Sequence, residues 1–329
     1  DQCMGGGLSS GLQRFIGCNE GGKTNEALHV MLNMLDTVEN TKGLYIKAEG
    51  RLSKAIQERS GLNFVQDPEK WDIGTCLVWD CNIYDTVFDG LRELLKNNPE
   101  KERFCIVIDS MDGLLSKGDL EKSTSEAAKV AAGATLTSDF LKRVSLGMSR
   151  FGHMCIMVSQ VRSTIKTSQY AASDPNNQTN SSGGNAALHY PDWIINFEKR
   201  NQADLIVQDP KARPSPENKI IGHYAKVHIQ KSTNESTGLR IRYPIKYGRS
   251  GGKSIWVERE IIEMLLMWSY IEKAGSWFKI DPEIVAFLGE KGFDIKEKYQ
   301  GMNSLYSLLE ENEGLTNQLK GFVRDHILS

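Results

Sequence analysis

The residues best suited to chemistry lie near the start of the chain. Residues 17–24 read G-C-N-E-G-G-K-T and match the pattern G-x-x-x-x-G-K-[ST]. Glycines in such a loop let backbone N–H groups approach an anion, so the pattern indicates a polyphosphate site. We expect Lys23 to reach the terminal phosphates and the Thr24 hydroxyl to bind Mg²⁺. The alternative is a glycine-rich turn without a ligand. The candidate phosphate-binding residues are Gly17, Cys18, Asn19, Glu20, Gly21, Gly22, Lys23 and Thr24.

Two apolar runs elsewhere in the chain end in carboxylates. Residues 104–109 read F-C-I-V-I-D and are followed by Ser110, while residues 44–48 are followed by Glu49. The carboxyl end of a parallel strand beside a phosphate loop is where Mg²⁺ needs negative charge, so we expect Asp109 to support the metal. Adjacent strands would place Glu49 near the γ-phosphate, where it would act as a general base on the attacking water.

A third apolar run, residues 154–160, ends in a glutamine. The Gln160 side chain would sense the γ-phosphate and pass its presence to the segment that follows, or it would only cap the strand. Spacing alone does not separate these two alternatives.

The elements that must position these residues alternate between strand-like and helix-like patterns. Apolar residues at helical spacing over 27–35 follow the loop, and the near-continuous apolar runs are typical of parallel strands covered on both faces. Later runs at 193–197, 225–230 and 239–247 indicate further strands, which we expect to be antiparallel. Residues 259–274 are expected to form an amphipathic helix, and a helical module follows.

Composition limits the classes of function. With 329 residues, 40% hydrophobic and 25% charged, the chain resembles an ordinary globular protein with one large core and a smaller appendage. The net charge of −2 offers no global evidence for nucleic acid, so any such site must be local. We find no signal peptide and no apolar run long enough to cross a bilayer, and therefore expect a cytoplasmic protein, in a bacterium or in the host of a virus, with no membrane partner.

A series of motifs in chain order resembles the RecA-type recombinases of bacteria and phages. They are G-G-L-S-S-G at 6–11, the loop at 17–24, A-E-G at 48–50, V-I-D-S at 107–110, S-Q-V-R at 159–162 and S-G-G-N-A-A-L at 182–188. The last is the most specific, because few ATPases place Gly-Gly-Asn-Ala at the end of a polar loop that begins just after Gln-x-Arg. The stretch I-E-K-A-G-S-W at 271–277 and the C-terminal R-D-H-I-L-S extend the resemblance over nearly the whole chain.

The resemblance implies hydrolysis of ATP with Mg²⁺ between protomers of a helical filament. The filament would self-assemble on single-stranded DNA and take homologous duplex DNA as its second partner. Glu49, Lys23 and Gln160 would be catalytic, Thr24 and Asp109 would hold Mg²⁺ partly through water, and Ser110 would assist them. Lys231 would reach the ATP of the neighbouring protomer. The implied DNA-binding residues are Ser138, Lys142, Arg162, Lys166, Tyr170, Gly183, Gly184 and Asn185.

The chain also departs from the family pattern. Thr233 stands where a second cation is usual, so the coupling between filament formation and hydrolysis is in question. Ser53 and Ile56 replace an Asp and a Tyr beside the adenine, which predicts looser base selectivity. The chain begins at Asp1 without the segment that docks on the next protomer, and we expect that a longer natural protein exists.

These observations lead to one expected fold and function. The predicted fold is α/β, a RecA-like P-loop ATPase core with a mostly parallel sheet flanked by helices, plus a small C-terminal α-rich domain. The expected boundaries are 1–280 for the core with its DNA-binding loops and 281–329 for the C-terminal domain. The expected function is ATP-dependent strand exchange in homologous recombination and DNA repair. The alternatives are another ATPase of this fold, such as a ring helicase or a regulatory ATPase, and a binding-only paralogue.

Overall fold

The computed structural model describes residues 4–50, 52–120, 131–160, 186–210 and 212–327. Within these ranges the chain groups into two compact units. The first comprises residues 1–220, 224–242 and 247–254, and the second comprises 221–223, 243–246 and 255–329. The second unit thus includes residues 255–280, whereas the predicted boundary falls after 280. The division into domains at 1–280 and 281–329 stays a prediction.

The described residues of both units contain the following strands and helices, given in chain order. The strands are β1 (Gly11–Gly17), β2 (Thr41–Lys47), β3 (Asn63–Val65), β4 (Thr75–Asp80), β5 (Arg103–Asp109), β6 (Met154–Gln160), β7 (Trp193–Phe197), β8 (Leu205–Val207), β9 (Ile220–Lys231), β10 (Arg240–Lys246), β11 (Ile271–Ala274), β12 (Trp277–Ile280) and β13 (Lys298–Gln300). The helices are α1 (Lys23–Thr37), α2 (Lys54–Ser60), α3 (Tyr84–Lys96), α4 (Lys117–Leu120), α5 (Ala131–Arg150), α6 (Ala186–His189), α7 (Val257–Met267), α8 (Pro282–Glu290), α9 (Met302–Glu310) and α10 (Glu313–Ile327).

A central, mostly parallel sheet organises the first unit. In the described residues it has ten strands in the order β10-β9-β7-β1-β6-β5-β2-β4-β3, with β8 paired to β9. The predicted α/β fold with a mostly parallel sheet is therefore confirmed. The prediction that β7 is antiparallel is wrong, because β7 pairs parallel with β1 and the antiparallel pairing begins between β7 and β9.

Helices cover both faces of this sheet, which explains why the apolar runs are nearly continuous. On one face Leu12, Ile46 and Ile106 pack in a buried cluster with α3 and α5, where the rings of Phe88 and Phe140 stack with centroids 4.1 Å apart. On the other face α1 lies so close to β2 that a Cβ atom on Gly43 would come within 2.9 Å of a methionine sulfur. The carboxyl ends of the parallel strands, where the candidate residues lie, are thus held by packing on two sides.

The second unit combines helices with a small antiparallel sheet of order β11-β12-β13. Its core contains Leu265, Ile271, Leu288 and Leu319, all buried. The predicted helix over 259–274 is wrong in its second half, because α7 ends at Met267 and the chain then turns into β11. The turn requires left-handed backbone at Ser269, whose φ is 63°, and this conformation cannot continue a right-handed helix.

No helix in the described ranges is both long enough and apolar enough to span a membrane.

His153 joins β5 to β6 through a buried imidazole. Its side chain is only 2% exposed, and its Nδ1 accepts a hydrogen bond from the Phe104 N–H at 3.2 Å. The ring also stacks on Phe104, with centroids 5.3 Å apart. Burial lowers the pKa of His153 below its usual 6.5, so the folded protein keeps this ring neutral where an unfolded chain would protonate it.

We expect His153→Gln to reduce the loss of stability that mild acid causes. Below about pH 6.5 the unfolded wild-type chain binds a proton that the folded chain resists, so the free energy of unfolding falls as the pH falls. Glutamine keeps a hydrogen-bond acceptor but does not titrate. Urea unfolding at about pH 7.5 and about pH 5.5 measures the effect. An equal fall in unfolding free energy for both proteins would contradict it.

Candidate nucleotide-binding site

The candidate phosphate loop links the carboxyl end of β1 to the N-terminus of α1. Gly17 has a φ of 144°, and a Cβ atom there would lie 2.2 Å from the Phe197 carbonyl oxygen, so only glycine fits. Gly22 precedes the helix with a φ of 97°, and no side chain caps α1. The first amide groups of α1 and the positive end of its dipole therefore face the loop, as an anion site requires.

Lys23 lies within this loop. Its Nζ donates to the carbonyl oxygens of Gly17 at 2.9 Å and Cys18 at 2.7 Å, and the residue is 8% exposed. Burial lowers the pKa of Lys23, and the negative charge of Asp109 is the largest influence that opposes the shift. An ammonium group has three donors, so two carbonyls hold it in place and one donor remains to meet a phosphate oxygen.

The Asp109 carboxylate, at the end of β5, receives two hydroxyl donors on one oxygen. Thr24 Oγ1 donates to Oδ2 at 2.7 Å and Tyr45 Oη donates to the same atom at 2.8 Å. Burial raises the pKa of Asp109, while both hydroxyl donors and the charge of Lys23 act to lower it. The sequence indicated Thr24 and Asp109 but missed Tyr45, whose signal is its position on β2 two residues before that strand ends.

Thr24 and Asp109 fit Mg²⁺ as part of its coordination shell, which phosphate oxygens and water would complete. The described residues contain no cluster of three or more His, Cys, Asp or Glu side chains able to hold a metal. They do offer a carboxylate and a hydroxyl in contact, both hard oxygen donors. Mg²⁺ in phosphate-binding proteins takes one or two such protein ligands and completes its octahedron with phosphate oxygens and water, so the residues present fit the ion.

Glu49, just beyond β2, is fixed by both its backbone and its side chain. The N–H groups of Ala48 and Glu49 donate to the Asp109 carbonyl oxygen at 2.9 and 3.2 Å. The Ser110 hydroxyl donates to the Glu49 carboxylate, and Gln160 Nε2 donates to its two oxygens at 3.1 and 3.3 Å. The backbone of Gly113, in the turn after β5, packs against this residue, since a Cβ atom on Gly113 would lie 2.7 Å from the Ala48 carbonyl oxygen.

The structure therefore brings Glu49, Ser110 and Gln160 together. The strand that leads to Glu49, β2, is adjacent to β5, which ends in Asp109, and not to β1. The order β1-β6-β5-β2 puts two strands between β1 and β2. The side chains meet because the parallel strands end at one edge of the sheet and the turn after β5 folds over that edge.

Gln160 is bound at both its side chain and its backbone. The side chain bonds to Glu49, and the backbone N–H donates to Asp112 Oδ2 at 2.6 Å. The sequence did not single out Asp112, which lies in a short 3₁₀ turn after β5 and carries no motif. The side-chain bond to the candidate general base favours the sensing role over simple capping, and that role stays a prediction.

Lys231, at the end of β9, points to another part of its own chain. Its Nζ donates to the carbonyl oxygens of His189 at 2.5 Å and Leu188 at 3.5 Å, at the end of α6. Burial lowers the pKa of Lys231, and the charge of Asp192 opposes the shift. The structure does not bring Lys231 to the phosphate loop of the same protomer.

The remaining predicted residues divide into those that the structure describes and those that it does not. On α5, Ser138 is half-buried and Lys142 is exposed. Ser53 forms the N-cap of α2, with its hydroxyl accepting from the Ile56 N–H at 3.3 Å. The predicted DNA contacts that lie outside the described residues are Arg162, Lys166, Tyr170, Gly183, Gly184 and Asn185.

An open pocket of about 270 Å³ adjoins the candidate general base. Glu49 and Asp80 both line it, and Asp80 pairs with Lys47 through an ion pair of 2.5 Å. One carboxylate of this pocket is thus held by hydroxyl and amide donors while its neighbour is neutralised by a lysine.

We expect Asp109→Asn to separate stability from metal binding. Because burial raises the folded pKa of Asp109, its ionised form costs stability at neutral pH, and asparagine keeps an oxygen to accept from Thr24 and Tyr45. The thermal midpoint in EDTA should stay the same or rise. The additional stabilisation by ADP with Mg²⁺ over ADP alone should vanish.

Asp89→Asn is the matched control, since Asp89 is an exposed carboxylate on α3. It should leave the Mg²⁺-dependent shift of the thermal midpoint intact. A variant at Asp109 that keeps the full Mg²⁺-dependent shift would show that this carboxylate does not support the metal.

Comparison with known proteins extends the resemblance from motifs to the whole chain. Proteins named RecA are similar to it: that of Chlorobaculum tepidum is 23% identical over 329 residues, covering 99% of this chain and 80% of the relative. That of Rickettsia bellii is 22% identical over 324 residues, covering 97% and 79%. That of Gloeobacter violaceus is 23% identical over 336 residues, covering 100% and 76%. No protein-family model matches the chain. Together with the α/β core, this whole-length similarity supports homology with RecA-type proteins without assigning a specific member.

Proposed function

We propose that the protein is a DNA-stimulated ATPase that forms a helical filament on single-stranded DNA and exchanges strands with a homologous duplex. The observation that carries this proposal is the contact between Glu49 and Gln160. It joins the candidate general base to the last residue before 161–185, the segment that holds most of the predicted DNA contacts. Whole-length similarity to proteins named RecA supports it further.

The described residues divide the work of hydrolysis among them. The amide groups of the loop and the Lys23 ammonium would bind the phosphates, and Thr24 with Asp109, whose side chains are in contact, would hold the metal. Mg²⁺ supplies positive charge that neutralises the phosphate oxygens. Glu49 takes the proton from the attacking water, and its carboxylate is oriented for that task by the donors of Ser110 and Gln160.

The proposed DNA contacts are of a kind that ignores sequence. Backbone amides at Gly183 and Gly184 and cations such as Lys142 and Lys166 would bind phosphates, which carry no sequence information. Base pairing between the bound strand and the duplex then supplies the specificity. Because Gln160 contacts Glu49, DNA bound after β6 would act on the orientation of the base and so on the rate.

We expect Glu49→Gln to abolish hydrolysis while nucleotide binding persists. Glutamine preserves the shape of the side chain and an oxygen for Gln160, but it cannot accept the proton of water. ATP turnover with and without single-stranded DNA should fall by about 100-fold or more, the range for loss of a general base. Binding of a fluorescent ATP analogue should stay within a few-fold of wild type.

Asp80→Asn serves as the control because Asp80 lines the same pocket and already pairs with Lys47. It should retain DNA-stimulated turnover. Wild-type turnover that DNA does not raise would favour another ATPase of this fold. Filaments on DNA without turnover would favour a binding-only protein.

Mixing two inactive variants tests the proposed site between protomers. Lys231→Ala keeps its own phosphate loop, and Lys23→Ala keeps the lysine that would reach a neighbour. In a head-to-tail assembly mixed in equal amounts, about one quarter of the interfaces would combine two intact halves. The mixture should therefore hydrolyse ATP faster than either variant alone.

The double variant Lys23→Ala/Lys231→Ala is the control, because in a mixture with either single variant one of the two lysines is missing from every chain and no interface can hold both. Its mixture with Lys231→Ala should stay inactive. Activity no higher than that of the separate variants in the first mixture would contradict a site shared between protomers.

A further inference from the structure

A buried tyrosine side chain reaches from β2 to the carboxylate that ends β5. Tyr45 is only 3% exposed, and its Oη donates to Asp109 Oδ2 at 2.8 Å. In the register of the two parallel strands Tyr45 lies beside Val107, two residues before Asp109, so all three side chains point to the same face of the sheet. A side chain as long as tyrosine is needed to bridge this diagonal. The hydroxyl therefore comes from the body of the sheet and not from the phosphate loop.

Packing holds the Tyr45 ring independently of the carboxylate. The ring meets Phe64 of β3 edge to face, with centroids 6.5 Å apart and an angle of 82° between the planes. The strand β2 lies inside the sheet, hydrogen-bonded to β5 on one side and to β4 on the other. A ring packed in this way has little freedom to move, so its hydroxyl stays in one place.

Thr24 supplies a second donor from a different element. It is the second residue of α1, and its Oγ1 donates to the same Asp109 oxygen, Oδ2, at 2.7 Å. Both hydrogen bonds that the described residues make to this carboxylate therefore end on Oδ2, and none of them reaches Oδ1. An ionised carboxylate accepts through both oxygens, so Oδ1 keeps its lone pairs for a further partner.

We propose that Tyr45 is a positioning residue that fixes the rotation of the Asp109 carboxylate and thereby makes the metal site favour Mg²⁺ over Ca²⁺. One donor would leave the carboxylate free to rotate about its Cβ–Cγ bond, whereas donors on α1 and β2 together hold it in a single orientation. Thr24 cannot do this alone, because its oxygen is also a candidate metal ligand. Tyr45 has no such second role, so its hydrogen bond is available with or without the ion.

The preference follows from the coordination chemistry of the two ions. Mg²⁺ requires a near-ideal octahedron with oxygens at about 2.0–2.1 Å, whereas Ca²⁺ accepts about six to eight oxygens at about 2.3–2.6 Å in flexible arrangements. A carboxylate with fixed rotation offers its remaining oxygen in one direction, which suits the stricter ion. A carboxylate that rotates can still serve Ca²⁺. This step rests on the proposed function, in which Thr24 and Asp109 hold the metal beside a nucleotide.

Tyr45→Phe tests the inference, because phenylalanine keeps the ring and its packing on Phe64 but removes the hydroxyl. The thermal midpoint in saturating ADP, measured against the concentration of each ion, gives the half-saturating Mg²⁺ and Ca²⁺ concentrations. The value for Mg²⁺ should rise by about tenfold or more, as expected when a group that orients a metal ligand is lost. The value for Ca²⁺ should rise by about threefold at most.

Tyr84→Phe is the matched control. Tyr84 is 4% exposed, and its Oη donates at 3.2 Å to the Met111 carbonyl oxygen and not to Asp109. Its substitution should leave the ratio of the two half-saturating concentrations unchanged. If Tyr45→Phe raises both concentrations by the same factor, the site is weakened in general and the inference is overturned. An unchanged Mg²⁺ concentration would overturn it as well.

A double-mutant cycle without metal tests the contact itself. A hydrogen bond to an ionised carboxylate is about twice as strong as one to a neutral amide. In EDTA at about pH 7.5, Tyr45→Phe should therefore raise the unfolding constant about fivefold more in the wild-type background than in Asp109→Asn. Equal increases in both backgrounds would show that the hydroxyl does not depend on the charge of Asp109 and would contradict the proposed orientation.

The two measurements separate the inference from the proposed function. If neither ion stabilises the wild-type protein beyond the effect of ADP alone, the proposed metal and nucleotide site fails, and the preference for Mg²⁺ fails with it. The cycle in EDTA still decides whether Tyr45 orients the carboxylate. If the wild-type protein responds to Mg²⁺ and Tyr45→Phe responds in the same way, only the inference fails.

Discussion

The site depends on one half-buried carboxylate, Asp109, at the end of β5. Burial raises the pKa of Asp109, so keeping this carboxylate ionised at the place where a metal is needed lowers the stability of the fold. Two hydroxyls from different elements, Thr24 and Tyr45, donate to it, and the Lys23 ammonium lies near enough to lower its pKa. The phosphate loop, β2 and β5 are thus oriented toward each other by the same charge.

The backbone of Asp109 makes a second connection of equal consequence. Its carbonyl oxygen accepts from the N–H groups of Ala48 and Glu49, so the residue that supports the metal also sets the position of the candidate general base. Ser110 then donates to Glu49 from the next position along the chain. Metal support and base orientation are therefore not independent features. Both depend on the dipeptide Asp109–Ser110 at the carboxyl edge of the sheet.

Much of this arrangement was predictable from the sequence because strong local patterns encode it. Parallel strands buried on both faces show as continuous apolar runs, and the residues that follow them must meet at one edge, which is why Asp109, Glu49 and Gln160 were identified. Tyr45 and Asp112 were missed because their roles come from contacts between distant elements. A tyrosine inside an apolar run, or an aspartate in a turn, gives no local sequence signal of the residue that it contacts.

The errors have the same origin. The orientation of β7 depends on which strand it pairs with, and pairing with β1 is a tertiary choice that its own five residues do not record. The end of α7 depends on left-handed backbone at Ser269. Serine rarely adopts this conformation, so the sequence gives no sign of it. The strand at β7 was predicted correctly and only its pairing was wrong, whereas the helix over 259–274 was correct only as far as Met267.

Gln160 shows why these long-range contacts bear on function. Its side-chain amide donates to Glu49 and its backbone amide donates to Asp112, two carboxylates on different elements. Because both bonds are formed at once, a shift of this residue toward either carboxylate lengthens the bond to the other. Since β6 lies between β1 and β5, any such shift occurs beside the strands that carry the phosphate loop and Asp109. The proposed influence of DNA on hydrolysis would therefore need only a small shift at Gln160 and no change in the fold of the sheet.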